Sequence, residues 1–119
     1  MKHGRKISGG RYHAFRKKKR FEIQGQKRVV KLGDNKGRTK KGRGNIKKTF
    51  LLKTKYVNVQ DKGRTKKVEI KNVIETPSNK FLARQNVITK GTIVETTLGK
   101  VKITNRPSQE GVVNGVLAA

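Results

Sequence analysis

A chain of 119 residues with 32 Lys and Arg against 7 Asp and Glu, formally +25, is one domain or one domain with an appendage. It repels itself unless a polyanion neutralises it; nucleic acid suits, whereas an anionic membrane surface would want an amphipathic helix that the sequence lacks. With no cysteine it has neither disulfides nor thiolate metal sites, and without a ~20-residue apolar span or an apolar segment behind the basic N-terminus it reads as a soluble intracellular protein.

Composition divides the chain before Phe50. Residues 1–49 hold 19 Lys and Arg against two acids, Glu22 and Asp34, a net +17, with eight of the 13 glycines and only 11 apolar residues. Such a segment cannot offset its ordering entropy by burial, so a basic arm is expected here, extended or disordered when alone. Arg5, Lys6, Ser8, Gly9, Gly10 and Arg11 lead into the run Arg16, Lys17, Lys18, Lys19 and Arg20, which Phe15 and Phe21 flank, with Tyr12 nearby. A lone run of five cations is as often a solvated face or a targeting patch as a binding site. Here the basic character continues through Lys27, Arg28, Lys36, Arg38, Lys40, Lys41, Arg43, Lys47 and Lys48, and that length points to polyanion binding. Gly9, Gly10, Gly42 and Gly44 let the backbone approach phosphates, and arginine forks take phosphate oxygens two at a time. The aromatics either stack on unpaired bases or pack on the domain that follows.

His3 and His13 lack a second ligand cluster and read as solvent or phosphate contacts rather than as metal or catalytic groups. GDNKGRTKKGRGN is not a nucleotide-binding loop, because no Gly-Lys-Ser/Thr ends it and no helix follows. The hexamer KGRTKK inside it returns at residues 62–67 with unrelated flanks, so the chain is not a repeat array. The first copy belongs to the non-periodic arm and is expected to touch phosphates.

Residues 50–119, with 13 basic and five acidic residues (net +8) and 26 apolar ones, can bury a core. FLLKTKYVNV (50–59) reads as a strand with imperfect alternation and room for a bulge. QDKGR is a turn, which makes the second KGRTKK the end of a hairpin loop running into a strand. In KKVEIKNVIE (66–75) alternation puts Val68, Ile70 and Ile74 on one face, with Glu69, Lys71 and Glu75 on the other. Thr76-Pro77-Ser78 reads as a cap with proline at the first helical position, giving one short helix within 77–85. NVIT (86–89) reads as a brief strand. TIVETT (92–97), a Leu98-Gly99 turn and KVKITN (100–105) form a hairpin, and GVVNGVLA (111–118) is a closing strand weakened by Gly115. About six short strands in this space predict a mainly β fold, a small closed or nearly closed barrel. The loops at Lys90-Gly91 and Arg106-Pro107 fit turn chemistry and RNA contact equally.

Asp61, Glu69, Glu75, Glu95 and Glu110 are scattered over turns and strand faces, where solubility and cross-strand pairing explain them, so no enzyme signature is found. No cofactor and no small-molecule substrate is indicated. Charge alone leaves structured RNA and a DNA-coating, chromatin-type role both open.

The opening RKISGGRYHAFRKKKRFEIQG, with RGN at 43–45, NVIETPSN at 72–79, NVITKG at 86–91 and TNRPSQEGVVNGVL at 104–117, resembles the S-eight-e family of small-subunit ribosomal proteins. Arg5, Ser8, Gly9, Gly10, Arg16–Arg20, Glu22 and Gly25 occupy its signature positions. Serine stands where threonine is usual, and Gln24 adds one residue before Gly25. The large insertion of eukaryotic members is missing, so the resemblance is to the short archaeal form. It implies a β-barrel with an N-terminal extension threading into 16S ribosomal RNA beside neighbouring small-subunit proteins, and a structural role in the cytoplasmic ribosome.

Overall fold

The computed structural model describes residues 4–13, 15–61 and 63–118. Most of its regular structure is strand, in two sheets. A three-stranded sheet has the order β1 (Lys31–Leu32), β3 (Lys47–Thr54), β2 (Lys36–Lys41). The other sheet closes on itself as a five-stranded barrel: β4 (Tyr56–Asp61), β5 (Arg64–Glu75), β6 (Ile93–Thr96), β7 (Gly99–Ile103) and β8 (Asn114–Leu117). All barrel pairings are antiparallel except β4 with β8, which run parallel from Asn58↔Asn114 to Gln60↔Val116. One short helix, α1 (Lys80–Arg84), lies between β5 and β6.

The core is built from β-branched residues on the inward face of each barrel strand. Val57 and Val59 of β4, Val68, Ile70 and Val73 of β5, Val94 of β6, and Val101 and Ile103 of β7 form one cluster. Short branched side chains suit the narrow interior of a five-stranded barrel, where long ones would overfill it. β8 contributes Gly115, and the reason is steric. A Cβ there would lie 2.5 Å from Val101 Cγ1 and 3.0 Å from the Lys102 carbonyl oxygen. The glycine that weakens the strand by propensity is therefore what lets the barrel close.

Several local expectations are corrected. FLLKTKYVNV is two strands, not one with a bulge: pairing passes from the first sheet to the barrel at Lys55. There the Lys55 amide donates to Asn35 Oδ1 at 3.0 Å and its carbonyl accepts from Ile70 N–H at 2.8 Å. In β5 the buried residue is Val73, at 5 % exposure, while Ile74 is 43 % exposed. Register slips between Ile70 and Asn72 and again between Val73 and Glu75. Each bulge inserts a residue and reverses which face the following side chains take. The helix begins later than Thr76-Pro77: its cap is Asn79, whose Oδ1 accepts from Phe81 N–H at 3.0 Å. The β6–β7 turn is Thr97-Leu98, since Thr96 pairs with Gly99. NVIT makes only a single bridge, Val87 to Lys31.

The first sheet is fastened to the barrel by the stretch around β1. Val30, 1 % exposed, belongs to the core cluster, and its carbonyl accepts from Ile88 N–H at 2.8 Å. Leu32 N–H donates to Asn86 O and Gly33 N–H to Thr54 O, at 2.9 and 3.1 Å. A further bond joins them: Leu51 N–H donates to Pro107 O at 3.0 Å. The compositional boundary before Phe50 thus falls inside β3.

Candidate nucleic-acid interface

The basic N-terminal residues fall into three small constructions. In the first, Gly9 takes φ 78° so that RKISGGR turns back on itself. Lys6 N–H donates to Gly10 O and Gly9 N–H to Lys6 O, both at 2.9 Å, and Arg5 bridges to Arg11. The Arg5 guanidinium donates to Gly9 O at 3.1 Å. Ser8, Gly10, Lys6 and Arg11 are exposed around this turn.

The second is a tight bend in the cationic run. Glu22 N–H donates to Lys19 O at 2.9 Å, and the Glu22 carboxylate receives Lys19 N–H at 3.1 Å and both arms of the Arg16 guanidinium, at 2.8 and 2.5 Å. That bidentate pair, then the Lys19 amide, holds the Glu22 carboxyl below its usual pKa. Arg16 is therefore engaged within the chain, while Lys17, Lys18, Lys19 and Arg20 project outward. Phe15 and Phe21, 97 % and 80 % exposed, do not pack on the barrel.

The third construction is the hairpin of β2 and β3, and it corrects the reading of the first KGRTKK. Those six residues, all exposed, are β2 in full rather than a non-periodic arm. Its register sets Lys36 opposite Lys53, Lys40 opposite Lys48 and Lys41 opposite Lys47. Like charges directly across a strand pair are mildly destabilising, and counterions or phosphates gathered there would relieve them. The connecting loop raises the density further: Arg43 sits beside Gly44 and Asn45, both left-handed at φ 67° and 60°, and Gly42 N–H closes the loop on Ile46 O at 2.6 Å. Arg38 lies across from Phe50, whose ring carries the Arg28 guanidinium 3.8 Å from its centre.

The second KGRTKK behaves as expected. Asp61 pairs with Arg64 across a two-residue turn in which Gly63 takes φ 82°, and Arg64–Lys67 open β5; Lys62 lies outside the described residues. The same sequence thus forms a whole edge strand in one place, and from Gly63 on a turn and the start of a strand in the other.

Apart from Lys2 and Lys62, the other 30 of the 32 Lys and Arg are described, and only Arg16 and Lys55 have a carboxylate within ion-pair distance. Lys55 meets Glu69 at 2.8 Å. The surface is consequently cationic almost throughout. No group of three or more His, Asp and Glu side chains comes together among the described residues; His13 is exposed, and His3 lies outside them.

The sequence has relatives among known proteins along its whole length. A family model described as ribosomal protein S8e matches residues 1–118. The small ribosomal subunit protein eS8 of Methanocorpusculum labreanum is 44 % identical over 115 residues, covering 95 % of this chain and 92 % of that protein. The eS8 proteins of Nanoarchaeum equitans and Haloarcula marismortui are 44 % and 41 % identical, over 95 % of this chain and 91 % and 92 % of their own lengths. With the match spanning barrel and basic extension alike, the chain belongs to the ribosomal protein S8e family, which is structural rather than enzymatic.

Proposed function

We propose that the chain is a structural constituent of the small ribosomal subunit, binding 16S-type ribosomal RNA among neighbouring small-subunit proteins in the cytoplasm. Residues 1–49 are the RNA-binding arm and residues 50–119 the barrel domain that anchors it. The observation that carries this reading is the β2–β3 hairpin, where lysines face lysines across the strands with no acid between them. An external polyanion would relieve that repulsion, and membership of a ribosomal protein family supports ribosomal RNA as that polyanion.

Truncation would damage the core, because Val30 is part of it; the test keeps the full chain. Replacing Lys40, Lys41, Lys47 and Lys48 by Gln removes four charges and also relieves the repulsion, so the hairpin keeps its fold. The slope of log affinity against log salt for a 16S-type RNA fragment should flatten by about 3, at roughly 0.7–0.9 for each phosphate that is no longer neutralised. An unchanged slope would show that the hairpin is not the phosphate clamp. Equal affinity of the intact chain for blunt duplex DNA and for structured RNA would favour DNA coating instead.

A further inference from the structure

The loops at Lys90 and Arg106, for which turn chemistry and RNA contact are equal readings of the sequence, converge on one cleft. It lies where the arm joins the barrel and has a volume of about 550 Å³, within the ~300–1,000 Å³ range of small-ligand pockets. Its rim carries four cations from three separate segments: Lys27 and Arg28 of the arm, Lys90 and Arg106. No acidic residue lines it, and none of the four has an ion-pair partner among the described residues. Its floor is apolar, made by Val30, Val87, Ile88 and Pro107, all buried, with Leu82 half-buried beside them.

We propose that this cleft takes a single unstacked nucleotide of RNA, its base against the apolar floor and its flanking phosphates on the four cations. The proposal rests on the RNA-binding reading above and gives it a specific subsite. Three features favour a nucleotide. Apolar floor and cationic rim occur together, as a base with phosphates on either side requires. Arg28, which lines the cleft, has its guanidinium over the Phe50 ring, 3.8 Å from its centre, and that contact restrains a side chain able to donate to phosphate or to a base edge. Polar groups at the edge can meet a base edge: the Ser108 hydroxyl and the Asn79 amide nitrogen make no hydrogen bond among the described residues, the Asn79 oxygen alone serving the helix cap. A base still paired in a duplex cannot enter, so the cleft would select bulges, loops and single strands.

The test uses the isotopically labelled full chain with two RNA duplexes, one blunt and one carrying a single unpaired 2-aminopurine. The bulged RNA should shift the amide resonances of Thr89, Lys90 and Ser108, and the blunt duplex should not. Ser108→Trp fills the cleft without altering charge. It should weaken binding of the bulged RNA about tenfold, the order of a single base stack, leave its salt slope unchanged and spare the blunt duplex. Should that variant fail to fold, the resonance shifts of the unaltered chain decide alone. Equal shifts from both RNAs overturn the cleft while leaving RNA binding intact; binding of neither overturns RNA binding itself. A Glu-Phe-Glu peptide that shifts these amides at lower concentration than the bulged RNA would assign the cleft to an acidic protein segment and overturn the proposal.

Discussion

Gly115 lines the barrel where β7 and β8 meet, with no room for even a methyl group beside Val101. Gly115→Ala should destabilise the chain by roughly 1–3 kcal/mol through overpacking, read as a lower urea midpoint with the salt slope of RNA binding unchanged. At Glu22 the issue is charge. Its carboxyl titrates below the ordinary value of 4.5 because ionisation keeps the Arg16 fork and the Lys19 amide. The bend is fully held above that ordinary value and loosens as pH falls through the lowered one. Glu22→Gln should release Arg16 and steepen the salt slope of RNA binding by about one phosphate's worth, with pH dependence of the bend abolished in an NMR titration.

Among the elements, the β2–β3 hairpin should respond to salt in the opposite sense to a salt-bridged one. Screening relieves the Lys40–Lys48 and Lys41–Lys47 repulsions, so amide protection in Lys36–Lys41 should rise with ionic strength and rise further with RNA. Lys41→Glu turns one repulsion into an attraction. It should stabilise the hairpin by about 0.5 kcal/mol and yet weaken RNA binding. That strand was not legible in KGRTKK because no residue of it is buried: its pairing is imposed by β3, not by any apolar period of its own. The barrel was legible because Val68 and Val101 alternate with polar neighbours, the other strands are rich in β-branched residues, and the hairpins carry turn residues. The alternation failed as a guide at Val73 and Ile74, where bulges change the parity that the period assumes. The cleft was illegible for another reason. It is assembled from residues near 28, 79, 89 and 107, far apart in the chain, which only the tertiary fold brings together.

Across the whole molecule, the radius of gyration is 20.8 Å and the longest extent 66 Å, against about 13–14 Å expected of a compact chain this long. Val30 is where the basic N-terminal segment enters the core. Val30→Ala should cost roughly 1–3 kcal/mol as a core cavity. It should also lower amide protection in β1 more than in β6–β7, measured by hydrogen exchange. Retained protection at β1 would show that Leu32 and Gly33, through their bonds to Asn86 and Thr54, suffice to hold the arm.

The parallel seam between β4 and β8 also sets an order in time. Asn58 and Asn114, whose side chains meet at 3.2 Å, are 56 positions apart, and this seam alone turns the sheet into a barrel. During synthesis the cationic arm leaves the ribosome long before β8 does, so it is free in solution while its barrel is still an open sheet. A nascent chain of this kind presents its cations before its core has closed. Pairing of β8 with β4 then closes the barrel around the core that Val30 joins.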